Sequence, residues 1–124
     1  MLNILTVFVG GGIGAVLRYV FSLAITKMFY VSFLGTLCVN IVGCFFIGFI
    51  SGFFLQKYGV VNSTLKIFLT VGILGGFTTF SSFGLETFEL LKNAKYLLAV
   101  LYILVSVLGA LTFTYLGFIF SKSV

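Results

Sequence analysis

The residues able to do chemistry at depth in this chain are hydroxyls, one carboxamide and the backbone beside two glycines. They concentrate in Gly72–Ser82 (GILGGFTTFSS), where Gly75 and Gly76 precede Thr78, Thr79, Ser81 and Ser82. All of these compete with regular helix, through φ freedom or local side-chain bonds, so the sequence predicts a helix broken near 75–82. A break frees carbonyls able to hold a small cation and N–H groups able to meet an anion. Hydrocarbon tolerates such backbone only where protein or an aqueous cavity satisfies it, which would make the cluster a functional centre. The alternative is a continuous helix with one polar face.

Other candidates fall at helical spacing around this cluster. Asn40 lies on a stripe of small and polar residues, Thr36, Asn40, Gly43 with Cys44, Ile47 and Ser51, and is the one carboxamide well inside its stretch. Its two donors and one acceptor must find a helix, a water or a substrate; the plainer reading is an asparagine that joins two helices. Phe80 and Phe83 flank the cluster three residues apart. Their electropositive edges could contribute to binding a small anion, although most phenylalanines simply pack. Tyr102 and Ser106 share a helix face and could line a path or bond to a neighbouring helix. Arg18, about 14 Å of helical rise from Lys27, calls for a wet vestibule or a partner, unless it snorkels to the interface.

What is missing narrows the chemistry. The chain has no histidine and no aspartate, and its acids are Glu86 and Glu89. Metal catalysis with the usual ligands and Ser-His-Asp chemistry lack their parts, which argues against an enzyme. The deep ionisable residue is an arginine, which does not deprotonate, so proton coupling is poorly served. Hydroxyls, a carboxamide and a fixed positive charge suit passive movement of an anion. Two other readings stand beside it: a coupled exporter like the small multidrug resistance proteins, which needs a glutamate where this first helix has Arg18, and an accessory membrane protein without transport.

These residues must be positioned by membrane helices. With 61% hydrophobic and 7% charged residues and no proline, 124 residues cannot build a soluble domain around one core. Four apolar stretches, Leu2–Thr26, Val31–Leu55, Leu65–Leu91 and Tyr96–Phe120, each have spanning length. The expected fold is an all-α integral membrane protein, a single four-helix domain over residues 1–124. The first stretch lacks the basic flank and cleavage site of a signal peptide and is expected to stay. Cys38 and Cys44, about 9 Å apart along one helix, are out of disulfide reach. The scattered lysines form no basic stripe for nucleic acid and read as interfacial anchors. Lys57, Lys66 and Lys122 fall on one side and Lys27, Lys92 and Lys95 on the other. Without a bias both orientations can be made, and an antiparallel homodimer about an in-plane two-fold axis is a natural assembly; the plainer reading is a protein of single topology whose weak bias is settled by something else. Gly10/Gly14, Gly48/Gly52 and Gly72/Gly76 fit close helix packing.

Three stretches, GGGIGAVLRY (Gly10–Tyr19), GTLCVNIVGCFFIG (Gly35–Gly48) and GGFTTFSSFGLE (Gly75–Glu86), together resemble the Fluc (CrcB) family of fluoride channels over nearly the whole length. The resemblance implies an antiparallel, dual-topology homodimer in the bilayer of the bacterial inner membrane. Each dimer would have two pores that pass fluoride passively out of the cytoplasm and relieve its toxicity. It implies that Asn40 is the pore asparagine and that Phe80 and Phe83 are the paired phenylalanines. Ser81, Ser82, Thr36 and Thr79 would be hydroxyls near the path, with Tyr102 and Ser106 facing it from the fourth helix. Arg18 would stand near the vestibule and Glu86 beyond the break. The carbonyls of Gly75 and Thr78 would hold a structural sodium ion at the dimer centre. Ser82 and Ala110 depart from the commoner family residues at their positions.

Overall fold

The computed structural model describes residues 1–59 and 63–124 and contains four helical spans long and apolar enough to cross a membrane. They are α1 (Leu2–Phe29), α2 (Ser32–Tyr58), a composite third span and α6 (Tyr96–Ser121). The third comprises α3 (Thr64–Ile67), a π-helical stretch (Phe68–Leu74), α4 (Gly75–Phe77) and α5 (Phe80–Lys92). The ends differ from the apolar stretches by up to three residues. Hydropathy falls at a lysine, whereas α1 and α2 stop where the backbone takes a positive φ. Thus α1 runs past Lys27 to Tyr30 (φ 57°) and α2 past Lys57 to Gly59 (φ 67°). Both lysines sit in a last turn, where the helix dipole favours a cation.

The exterior is far more apolar than that of a soluble protein, and the interior holds hydroxyls beside apolar residues such as Val39, Leu74, Phe77 and Ala99. Thr36, Thr79, Thr87 and Ser121 are buried, while long runs of Leu, Val, Ile and Phe on α1 and α6 face outward. That surface suits lipid and leaves packing to small residues, because apolar side chains gain nothing by leaving hydrocarbon for each other. All three glycine pairs lie at helix contacts. A Cβ on Gly10 would come 2.9 Å from the Gly72 Cα, one on Gly14 would strike the Ile73 carbonyl, and one on Gly76 the Gly11 carbonyl, so α1 lies against the third span backbone to backbone. Gly48 meets the Thr114 carbonyl and Gly52 the Ser121 hydroxyl, while Gly117 of α6 meets the Phe45 carbonyl in return. Cys38 and Cys44 are both free thiols.

The π-helical stretch was not foreseen. It ends where the Gly75 amide donates to both the Thr70 and Gly72 carbonyls. Such a widened turn admits an extra residue into the helix. Here it lies against α1, and Gly72 and Gly76 still face that helix from either side of its end.

Candidate functional site

Thr78 (φ −78°, ψ 155°) and Thr79 (φ −149°, ψ 114°) are extended, and they separate α4 from α5. The interruption spans two residues, narrower than the 75–82 window, because the glycines and serines on either side remain helical. An exchange of partners accounts for it. In an unbroken helix the Thr79 amide would donate to the Gly75 carbonyl and the Ser82 amide to the Thr78 carbonyl. Instead the Thr79 amide donates to Asn40 Oδ1 at 2.8 Å, and the Ser82 amide donates to Thr79 Oγ1 at 3.2 Å, an N-cap on α5. Asn40 Nδ2 donates back to the Thr79 carbonyl at 3.0 Å, so one side-chain amide from α2 pairs with both polar groups of one residue. The Gly75 and Thr78 carbonyls are thereby left without the donors of a continuous helix.

Side chains around Thr79 complete the junction. Its hydroxyl donates to Ser82 Oγ at 3.0 Å and lies 3.2 Å from Ser81 Oγ, while the Thr78 hydroxyl donates to the Leu74 carbonyl at 3.0 Å. Thr79 is buried, Ser82 is half-buried and Ser81 is exposed. The Thr78 methyl group occupies the space that a Cβ on Gly43 would take. Asn40 and Gly43, one turn apart on α2, therefore hold the two extended residues between them.

Thr79 lies between two cavities. One, of about 380 Å³, is bounded by Asn40, Thr78, Thr79, Phe80, Phe83 and Ser106. Ser106 Oγ is buried and has no hydrogen-bond partner among the described residues. The other, of about 300 Å³, is bounded by Arg18, Ser22, Thr26, Thr36, Thr79 and Ser82. Arg18 belongs to the second cavity and not to the space between the phenylalanines.

Aromatic rings continue from the first cavity. Phe80, 82% exposed, lies 5.4 Å from Phe83, which lies 5.2 Å from Tyr102, itself 5.1 Å from Phe33. Tyr102 is buried and donates to Glu86 Oε2 at 2.7 Å, while Thr36 donates to Glu86 Oε1 at 2.8 Å. Glu86 thus joins α2, α5 and α6, a role the search for candidate residues did not give it. Its position was the available signal: it continues the three-residue spacing of Phe80 and Phe83, which places all three near one face of α5. Glu86 also borders a cavity of about 440 Å³ at the end of the bundle, with Glu89, Asn93 and Lys95.

No cluster of His, Cys, Asp and Glu able to hold a metal occurs among the described residues. The unpaired carbonyls beside the interruption are hard oxygen donors and fit a hard cation better than a soft one.

The family model for CrcB-like protein, Camphor Resistance (CrcB), matches residues 5–118. The chain belongs to the CrcB family. Among its relatives, the fluoride-specific ion channel FluC of Azobacteroides pseudotrichonymphae is 44% identical over 97% of this chain and 96% of its own length. FluC 3 of Methanosarcina barkeri is 44% identical over 94% and 88%, and FluC of Flavobacterium psychrophilum 42% over 98% of each. The matches cover nearly all of this CrcB protein, and its four spans make it a multi-pass membrane protein.

Proposed function

We propose that this chain is a fluoride-selective channel, lowering cytoplasmic fluoride by passive export as an antiparallel homodimer with two pores. The observation that carries the reading is Thr79, held by Asn40 between a cavity edged by phenylalanine rings and a cavity edged by Arg18 and hydroxyls. Stripping water from a compact anion is costly, so a pore must replace hydration by donors at close range. The Asn40 amide uses one N–H on Thr79 and keeps another, Ser106 has a hydroxyl to spare, and the edges of Phe80 and Phe83 are electropositive. A fixed charge in the narrow part would hold the ion too tightly for rapid exit. Arg18 therefore acts at the entrance, drawing anions into the vestibule.

Thr36 and Tyr102 act through Glu86: their hydroxyls hold its carboxylate in place, and with it the inner end of the ring series. Thr79, Ser81 and Ser82 supply hydroxyls between the cavities. A sodium ion at the dimer centre would be held by the Gly75 and Thr78 carbonyls, a role supported by the loss of their helical donors. It would neutralise their partial charges and fasten the two copies together. Balanced lysines at the two ends support insertion in both orientations, and the bacterial inner membrane is the proposed location.

The test is anion efflux from liposomes loaded with fluoride or chloride, comparing wild type with Phe80→Ile and Phe83→Ile. Fast fluoride loss, little chloride loss and collapse in both variants are expected. Absence of efflux from the wild type would return the chain to the accessory-protein reading.

A further inference from the structure

One groove plays no part in the proposed pore. It lies between α2 and the start of the third span, has a volume of about 430 Å³, and is bounded by Phe49, Phe53, Phe54 and Tyr58 with Leu65 and Leu69 opposite. Its polar groups, Ser63 and Tyr58, lie at the same end, beside the α2 terminus. The Lys57 ammonium is laid over two rings of the groove, 5.1 Å from the centre of Phe53 and 6.0 Å from that of Tyr58. Cation–π attraction thus keeps a positive charge at the mouth instead of leaving it free in solvent. Lys66 is next in sequence to Leu65 of the groove, and its backbone amide donates to Ser63 Oγ at 3.1 Å.

Among the described residues, no carboxylate side chain accompanies the lysines at this end. Both carboxylate side chains of the protein, Glu86 and Glu89, border the cavity with Lys95 at the opposite end. Lys122 lies at the same end of the bundle, since Gln56 donates to Ser121 Oγ, and its ammonium is 5.3 Å from the centre of the Phe118 ring. An apolar slot with the Lys57 ammonium held over its rings and Lys66 beside it in sequence complements a molecule with an apolar chain and an anionic head.

We propose that this groove binds an anionic phospholipid, with an acyl chain along the phenylalanines and the phosphate between Lys57 and Lys66. An acyl chain alone would gain little, because the surrounding hydrocarbon is equally apolar; the lysines select the lipid by its charge. The site is independent of the pore residues and of the fluoride reading.

The test is native mass spectrometry of the purified full-length protein with equal amounts of phosphatidylglycerol and phosphatidylcholine of matched chains. Phosphatidylglycerol should be retained preferentially. A Lys57→Gln, Lys66→Gln variant should reduce that preference on the order of tenfold, from the attraction each lysine loses. Leu69→Trp, which fills the groove, should reduce binding with the lysines intact; if that variant is misfolded by circular dichroism, Phe53→Leu replaces it, removing one ring beneath Lys57. Glycerol phosphate without chains should give no adduct. Equal retention of the two lipids, undiminished preference in the lysine variant, or loss with the lysines but none on altering the groove would each overturn the proposal, the last by reducing it to surface charge.

Discussion

Asn40 is both a structural and a chemical residue, and the two roles predict different variants. Asn40→Ala removes both bonds to Thr79 and leaves its buried amide unpaired, at about 1–3 kcal/mol, while the carbonyl of this N-cap residue still accepts the first intrahelical bond of α5. Fluoride efflux should fall by more than an order of magnitude and the thermal transition should drop with it. Ser106→Ala behaves differently, because the hydroxyl has no partner to lose. Its melting temperature should stay level or rise slightly while fluoride efflux slows. A parallel fall in stability would mean that Ser106 serves packing instead of the ion. Arg18→Gln should retain fluoride selectivity and lower the rate most at low ionic strength, where attraction into a vestibule is least screened; abolished conduction at all salt concentrations would place Arg18 in the narrow path.

At the scale of the helix, Gly43 and Thr78 fit each other as notch and methyl group, so a compensating pair can be designed. Gly43→Ala should displace Thr78 and depress efflux, and adding Thr78→Ser, which deletes the methyl group and keeps the hydroxyl, should restore much of it. If the double variant is no better than the single one, the notch does not set the position of the interruption. Much of this arrangement could be read in advance. Gly75, Gly76 and the following hydroxyls point to weak helix, and the three glycine pairs to backbone contact. The partner of Asn40 could not be read, because spacing places a side chain on a face without saying which backbone group meets it. Glu86 was passed over as one of only two acids near a helix end, although its spacing from Phe83 tied it to the aromatic face. Nothing in Phe68–Leu74 marks a π-helix, since its side chains suit an α-helix equally well and the choice lies in how the span docks on α1.

For the whole molecule, the three-to-three distribution of lysines carries the proposed assembly. Reporters fused to the C-terminus should be active on both sides of the membrane. Several arginines added after Val124 should bias insertion to one orientation. A dimer that needs both orientations would then lose fluoride efflux, and co-expression with a variant biased the other way should bring it back. Replacing sodium by a large organic cation should lower the melting temperature of the wild type, since an ion bound only to the folded dimer stabilises it by mass action. An unchanged transition would remove the ion from the account.

The exchange of partners at Thr79 also has a meaning for assembly. The Thr79 amide is met from α2, a different span, while the Ser82 amide is capped by Thr79 within the third span itself. Without α2, an extended Thr79 would leave its amide bare in hydrocarbon, so a continuous helix is the better state for the third span alone. Docking against α2 is therefore what tips the third span from a continuous helix to an interrupted one.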